Sequence, residues 1–198
     1  VDHPTLLIKL LQNVKGTKDE RIQYSPERME ETIKLAVKKS NWGNTTEGTY
    51  QGFSAYYSHN THVAEVADIV MKNGMPLVKK VTVAVDCGIV VNPLGAKNQV
   101  EGGVIDGIGH AMYGNFSFKE GTPQAVNFDN YRLIRMQETP EVSTHFVESG
   151  LSPTGLGEPG LPPAGGAVAN AIHTATGERL LKQPFINELE MSKSKILG

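Results

Sequence analysis

The sequence contains a single cysteine, Cys87, among its 198 residues. A disulfide needs two cysteines and a cysteine-cluster metal site needs several, so this chain alone can form neither. An excess of basic residues is also missing, because 19 Lys and Arg side chains stand against 21 Asp and Glu, which gives a net charge of −2. A nucleic-acid-binding surface usually needs a basic face, so nucleic acid is not an expected partner.

Long apolar runs and several well-known catalytic motifs are missing as well. No apolar stretch approaches the ~20 residues of a membrane-spanning helix, and no signal peptide is visible. The chain has no Walker loop, no Gly-x-Ser-x-Gly and no Gly-x-Gly-x-x-Gly that follows a strand. We therefore expect a soluble protein without a membrane span, cytoplasmic or periplasmic, and the sequence does not decide between these compartments.

The hydrophobic pattern predicts an α+β fold, in which an antiparallel or mixed sheet packs against Gly/Ala-rich helices. The pattern divides the chain into a helical segment over residues 1–47, a main domain over residues 48–186 and a loose tail over residues 187–198. Helices are expected over residues 3–14, 26–42, 93–114 and 164–177, and strands over residues 50–60, 61–74, 76–88 and 140–149. Ser25 is a candidate N-cap of the second helix and Gly43 its expected stop, and Asn73-Gly74 predicts a hairpin turn between the second and third strands.

A glycine-rich turn precedes the last of these helices. Glu158 is the only charged residue between Ser152 and Ile172, and it lies where the turn becomes a helix. Glycines allow backbone amides to approach an anion, and a helix N-terminus adds a favourable dipole. Glu158 could therefore be a structural group that caps the helix, or a free carboxylate that acts as a base.

A second notable stretch opens the helix expected after Asn92-Pro93. The side chain of Gln99 can donate and accept hydrogen bonds at once, which suits a polar heterocycle, although it could equally be a surface residue beside a stabilising Glu101. Five glycines between Gly102 and Gly114 each weaken a helix by roughly 1 kcal/mol relative to Ala. We expect a helix that keeps them to pack closely against another backbone or a ligand.

The histidines show no spacing typical of a metal site. His59 and His62 are three residues apart in a strand-like region without a Cys or Glu partner, so a zinc site is not expected. His110 and His173 lie in apolar helices and are expected to be partly buried in the core. Cys87 is expected to be a small buried apolar residue rather than a reactive thiol.

Two blocks of sequence together resemble one enzyme family. The first contains Asp86-Cys87-Gly88, Asn92-Pro93 and Gln99-Val100-Glu101-Gly102, and the second is "GLGEPGLPPAGGAVANAI". Both blocks resemble the xanthine dehydrogenase and aldehyde oxidoreductase family of molybdenum hydroxylases, and in particular the large subunit of the isoquinoline 1-oxidoreductase type. The resemblance runs from about Tyr50 to Phe185 and implies that residues 48–186 form a molybdopterin-binding C-terminal domain.

The resemblance also implies a chemistry. Members hydroxylate N-heterocycles or aldehydes with oxygen derived from water, using molybdenum held by molybdopterin, in bacteria often in the cytosine dinucleotide form. By position, Glu158 would be the catalytic base and Gln99 a pterin contact. Gly155, Leu156 and Gly157 would shape the turn beside the metal. No side chain need bind the metal, and we expect the apolar neighbours of Glu158 to bury it partly.

Large subunits of this family are several times longer than this chain. The resemblance therefore implies a C-terminal portion or one chain of a split subunit, whose cofactor pocket is completed by a missing upstream lobe. A small iron–sulfur subunit would carry the electrons away, and this chain alone would bind the cofactor weakly or not at all. Two other hypotheses stay open: a non-catalytic assembly or binding module that retains the fold, and a stand-alone enzyme that uses Glu158 without a metal.

Overall fold

The computed structural model describes residues 1–16 and 24–196, with side chains described as far as residue 190. Within these ranges a four-stranded sheet is flanked by helices that come before, between and after its strands. The helices are α1 (His3–Asn13), α2 (Pro26–Ser40), α3 (Pro93–Met112), α4 (Leu161–Thr176) and α5 (Phe185–Ile196). The strands are β1 (Thr49–Ser58), β2 (Thr61–Lys72), β3 (Met75–Asp86), β4 (Phe118–Lys119), β5 (Thr122–Pro123) and β6 (Glu141–Phe146).

The main sheet has the strand order β1-β2-β3-β6. The first three strands are antiparallel neighbours, and β6 lies parallel to β3, so the sheet is mixed, as the sequence predicts. Asn73 and Gly74, the pair expected to make the β2–β3 turn, both have positive φ values, 53° and 70°. Two positive φ values in a two-residue loop match the twist of the flanking strands, which explains the Asn-Gly pair.

Helices cover both faces of the sheet, and β2 is therefore buried on both sides. Its odd-numbered residues Val63, Ala67 and Ile69 belong to the core formed with α3, α4 and α5. Its even-numbered residues Ala64 and Val66 belong to a second core formed with α1 and α2. The period of two in a strand sends successive side chains to opposite faces, so a single strand serves both cores.

Glycines allow α4 to lie against both the sheet and α3. A Cβ at Gly52 of β1 would lie only 2.0 Å from the backbone nitrogen of Ala171 in α4. A Cβ at Gly107 of α3 would lie 2.3 Å from the carbonyl oxygen of Leu161 at the start of α4. Gly102, five residues earlier, has nothing within 4 Å of a built Cβ. The expected close packing of the glycine-rich helix is thus confirmed, and it occurs at a particular point of α3.

The C-terminal segment differs from the expectation of a loose tail from residue 187. Helix α5 occupies Phe185–Ile196, and the side chains of Phe185 and Leu189 are buried in the core beneath α3 and α4. These two residues are four apart, so they share one face of the helix, and burial of that face holds the segment in place. The expectation of a loose tail is therefore wrong for the described part of this segment.

Glu65 lies in the middle of β2 and is completely buried. It pairs in register with Ser54 of β1, whose hydroxyl lies beneath Gly166 of α4, so the Glu65 side chain is on the α4 side of the sheet. Among the described residues, neither carboxyl oxygen of Glu65 has a hydrogen-bond partner. Burial in this apolar layer raises the pKa of Glu65 well above its ordinary value.

Candidate functional site

The glycine-rich turn before α4 runs along one end of the sheet. The N–H of Thr154 donates to the carbonyl oxygen of Cys87, at the end of β3, across 2.9 Å. The N–H of Gly155 donates to the carbonyl oxygen of His59, in the β1–β2 turn, across 3.1 Å. The start of the turn is therefore fixed by backbone contacts to two separate parts of the sheet.

Two glycines at this end of the sheet allow the backbones to approach closely. Gly88 has a positive φ of 74°, and a Cβ there would lie 2.2 Å from the carbonyl oxygen of Ser152. A Cβ at Gly155 would lie 2.6 Å from the Cβ of His59. Both positions thus require glycine for steric reasons. A Cβ at Gly157 meets nothing within 4 Å, so no contact of this chain demands glycine at that position.

Asp86 fixes the loop that follows β3. Its carboxylate accepts two hydrogen bonds from the guanidinium of Arg28, at 2.7 and 2.9 Å, and others from the Ser149 hydroxyl and the Gly88 N–H. Burial alone would raise the pKa of Asp86, but these hydrogen bonds outweigh burial and lower the pKa. The ion pair between α2 and the end of β3 was not recognised in the sequence, where these residues lie 58 positions apart.

Glu158 does not cap α4. The N-cap residue is Gly160, to which no side-chain hydrogen bond is assigned in the described structure, and only the backbone carbonyl of Glu158 accepts, from the Leu161 N–H at 2.9 Å. The side chain of Glu158 is 77% exposed, with one oxygen 3.9 Å from Nε2 of His59. The expected partial burial of Glu158 by its apolar neighbours is therefore wrong for this chain by itself, since Pro159 is buried while the carboxylate extends outward.

Gln99 joins the two sequence blocks. It lies in the second turn of α3, and its side-chain Nε2 donates to the carbonyl oxygen of Gly157 across 2.9 Å. Among the described residues, its Oε1 has no hydrogen-bond partner. Glu101, by contrast, forms an ion pair with Lys97 on the same helix, at 3.5 Å, which is typical of a stabilising surface pair. Gln99 thus meets the turn that carries Glu158.

A cavity of about 320 Å³ opens between the start of α3 and the turn before α4. Its wall is mostly apolar, with the amides of Asn92 and Gln99 among its polar groups. A concave, largely apolar site with a few convergent polar groups is the usual form of a small-molecule site. Other residues that line it include Cys87, Ile89, Val90, Thr154 and Leu156.

Backbone N–H groups beside this cavity are available to a ligand. Among the described residues, the N–H groups of Leu156, Gly157 and Glu158 have no hydrogen-bond acceptor. Successive N–H groups in a turn before a helix can bind an anionic group such as a phosphate. The donors on this side of the cavity therefore suit a ligand that carries anionic or hydrogen-bond-accepting groups.

Cys87 and the histidines differ in how deeply they are buried. Cys87 is buried, as expected, and burial followed by the nearby Asp86 carboxylate raises the pKa of its thiol. His110 is exposed rather than partly buried, since it lies on the outer face of α3 with Asp106 at 3.6 Å. The buried histidine is instead His62, whose Nε2 accepts from the Ser25 N–H at 3.1 Å. Burial lowers the pKa of His62 to about 4, so its ring is neutral at pH 7.

Side-chain ligands for a metal ion are not grouped in the part of the chain that the structure describes, where no three His, Cys, Asp or Glu residues come together. None of the helices within the described ranges combines the length and the apolar character needed to cross a membrane.

Comparison with known proteins identifies the family. A family model described as "Molybdopterin cofactor-binding domain" matches residues 9–140, which is most of the chain. The chain belongs to this family, and the resemblance to molybdenum hydroxylases is confirmed. The match begins at residue 9, so it includes α2, for which the sequence blocks gave no resemblance.

Two curated relatives cover most of this chain. The membrane-bound aldehyde dehydrogenase [pyrroloquinoline-quinone] of Gluconacetobacter polyoxogenes is 33% identical over an alignment of 169 residues, and the match covers 79% of this chain and 21% of that protein. Isoquinoline 1-oxidoreductase subunit beta of Brevundimonas diminuta is 30% identical over an alignment of 167 residues, and the match covers 81% of this chain and 21% of that protein. The chain thus spans about a fifth of the length of these relatives.

The fold also matches a solved structure. Quinoline 2-oxidoreductase from Pseudomonas putida 86 superposes with a TM-score of 0.60 at 19% sequence identity. The match covers 67% of this chain and 18% of that chain. At this identity the likeness concerns the fold, and it confirms the α+β architecture.

Proposed function

We propose that this chain is the part of a molybdenum hydroxylase that contacts molybdopterin and supplies the catalytic base, Glu158. The observation that carries the proposal is the hydrogen bond from Gln99 to the carbonyl of Gly157, which joins α3 to the turn that presents Glu158. The residue proposed to contact the pterin and the turn that carries the proposed base, which are far apart in the sequence, are therefore neighbours in the fold. The proposed substrate is an N-heterocycle or an aldehyde, by analogy with the substrates that the two curated relatives are named for.

The residues of this chain would hold the cofactor through hydrogen bonds. The free Oε1 of Gln99 would accept from the pterin, and the N–H groups of Leu156 and Gly157 would donate to its acceptor atoms, while Gly155 sets the path of the turn. We propose the cytosine dinucleotide form of the cofactor. The absence of grouped metal-binding side chains in the described residues suits a cofactor that brings its own metal ligands.

When bound, a molybdenum pterin supplies a two-electron oxidation and an oxygen atom derived from water. Glu158 would act as the general base for this chemistry, with its carboxylate accepting a proton. A general base must have free lone pairs and reach the proton it removes. Glu158 meets the first condition, because its carboxylate is not engaged in capping α4. The buried Pro159 and the start of α4 limit where its side chain can move.

Further polypeptide must complete this site. A carboxylate that is 77% exposed is surrounded by water, whereas a base works best in an enclosed site where its protonation state is controlled. We propose that an upstream lobe of the same subunit covers Glu158 and closes the pocket, in keeping with relatives about five times as long as the matched segment. A small iron–sulfur subunit would accept the electrons.

The direct test is Glu158→Gln in the full-length protein. We expect molybdenum and pterin contents to match the parent protein, while kcat falls by roughly 10²- to 10⁴-fold, the usual contribution of a general base. Glu178→Gln is the matched control, because Glu178 is an exposed carboxylate at the other end of α4, and it should leave kcat unchanged. Normal turnover of Glu158→Gln would refute the assignment of the base.

The same preparation separates the two other hypotheses. Turnover that depends on Glu158 in a protein free of molybdenum and pterin would indicate a stand-alone enzyme. A full-length protein that holds neither cofactor nor activity would indicate an assembly or binding module. Metal and pterin analysis of the purified protein therefore comes first.

A further inference from the structure

The turn between β1 and β2 lies directly against the start of the Glu158 turn, although about 94 residues separate them in sequence. The Gly155 N–H donates to the carbonyl of His59, and the hydroxyl of Thr61 donates to the carbonyl of Gly155. Both backbone groups of Gly155 are therefore bound by one hairpin. A third contact joins the hydroxyl oxygens of Thr61 and Thr154 at 2.7 Å.

The direction of this third hydrogen bond follows from counting protons. A threonine hydroxyl has one proton to donate, and a carbonyl oxygen can only accept. Because Thr61 gives its proton to Gly155, Thr154 must donate to Thr61. The result is a short chain of hydrogen bonds from Thr154 through Thr61 to Gly155. Thr61 is completely buried, so water would not easily replace its hydroxyl. Loss of that hydroxyl would leave the Gly155 carbonyl and the Thr154 hydroxyl without this hydrogen-bond partner.

The hairpin adopts an unusual conformation at this contact. His59 and Asn60 both have positive φ values, 52° and 61°, although neither is glycine. This conformation directs the carbonyl of His59 towards Gly155, and it places the imidazole beside Glu158, with 3.9 Å between Nε2 and the carboxylate. Gly155 fits only because it has no Cβ, which would lie 2.6 Å from the Cβ of His59.

We infer that the β1–β2 hairpin positions the catalytic base, with Thr61 as the positioning residue that acts on Glu158 through Gly155. The inference rests on the proposed function. Glu158 follows Gly155 by three residues, and its exposed side chain lacks a hydrogen bond to the described part of the chain. The position of Glu158 is therefore set by the backbone on either side of it. Gly155 is hydrogen-bonded to the hairpin, Gly157 accepts a hydrogen bond from Gln99, and the first turn of α4 follows directly.

The test uses Thr61→Val in the assembled full-length enzyme, because valine keeps the shape and removes the hydroxyl. We expect kcat to fall about 10- to 100-fold with KM and cofactor content unchanged, since a displacement near 1 Å can cost about 10²-fold. Amide hydrogen exchange over residues 154–158 should become faster. Thr61→Ser keeps the hydroxyl and should restore both exchange and kcat.

A matched control comes from another buried threonine of the same sheet. The hydroxyl of Thr82 in β3 is buried but has no hydrogen-bond partner among the described residues. Thr82→Val should leave exchange over residues 154–158 unchanged. If Thr61→Val does not fold, Gly155→Ala loosens the same contact from the other side, because the added Cβ would meet His59.

The outcomes separate this inference from the proposed function. If Thr61→Val and Gly155→Ala leave both exchange and kcat at the parent values, or if exchange rises while kcat is kept, the hairpin does not position the base. The double variant Thr61→Val with Glu158→Gln should be no slower than Glu158→Gln alone, and additive losses would also overturn the inference. If Glu158→Gln by itself keeps full turnover, the proposed function fails first, whatever Thr61 does.

Discussion

Glu65 gives the sharpest prediction about stability, because it is an acid in the core without a partner. Burial raises the pKa of Glu65 well above its ordinary value of 4.5, so the folded chain keeps a proton that the unfolded chain releases. The folded state is therefore most favoured below the unfolded pKa and loses stability as pH rises towards the folded pKa. Linkage sets the slope at about 1.4 kcal/mol per pH unit within that window.

The perturbation is Glu65→Gln, which keeps the size of the side chain and removes its titration. Between pH 5 and pH 7 the variant should gain up to about 2.7 kcal/mol relative to the parent chain, which is the linkage slope over two pH units. His62, whose pKa is lowered to about 4 by burial, contributes a pH dependence of the opposite sign in this range, but this is common to both proteins and cancels in the difference.

The assay is urea unfolding of the 198-residue chain, followed by circular dichroism at pH 5, 6 and 7. Glu47→Gln removes an exposed carboxylate beside β1 and serves as the control, whose difference from the parent should stay flat. A Glu65→Gln difference that is equally flat between pH 5 and 7 would refute the reasoning, because Glu65 would then bind the same number of protons folded and unfolded.

Two further predictions concern α3. Gly107→Ala should destabilise the chain by about 1–3 kcal/mol in urea unfolding, because the added Cβ would lie 2.3 Å from the carbonyl oxygen of Leu161. Gly102→Ala should instead stabilise the chain by up to about 1 kcal/mol, because its Cβ would meet no neighbour and alanine favours a helix. Equal effects of the two would contradict the close contact of α3 with α4. Gln99→Ala should lower the pterin content of the full-length protein, while Asn98→Ala on the adjacent exposed position should not, and equal pterin contents would remove Gln99 from the site.

Local signals in the sequence predicted much of the fold. The Asn73-Gly74 pair correctly predicted the β2–β3 turn, and Ser25 caps α2 with its side chain, as expected. A turn was expected at Asn92-Pro93, and the structure shows in addition that the side chain of Asn92 caps α3. Helix α2 ends at Ser40, with Asn41 in the left-handed conformation at φ 54°, slightly before the expected stop at Gly43. The division of the chain at residues 47 and 48 stays a prediction.

Contacts between distant residues could not be predicted from the sequence. The bond from Thr61 to Gly155, the ion pair of Arg28 with Asp86 and the exposure of Glu158 each depend on which elements become neighbours in space. Composition also misled the prediction for His110, because the apolar residues of α3 do not say which face is turned outward. Helix α5 was not predicted, because two apolar residues four positions apart, Phe185 and Leu189, are too weak a pattern to indicate a helix. Their burial becomes evident only from the core that the rest of the fold forms.

The position of the metal tests the central claim most directly. Crystals of the full-length protein with its cofactor, measured on either side of the molybdenum absorption edge, would locate the metal by anomalous scattering. We expect a single strong peak beside the Glu158 carboxylate, with the pterin in contact with the Gln99 amide. A molybdenum peak remote from Glu158, or a pterin that does not touch Gln99, would contradict the account.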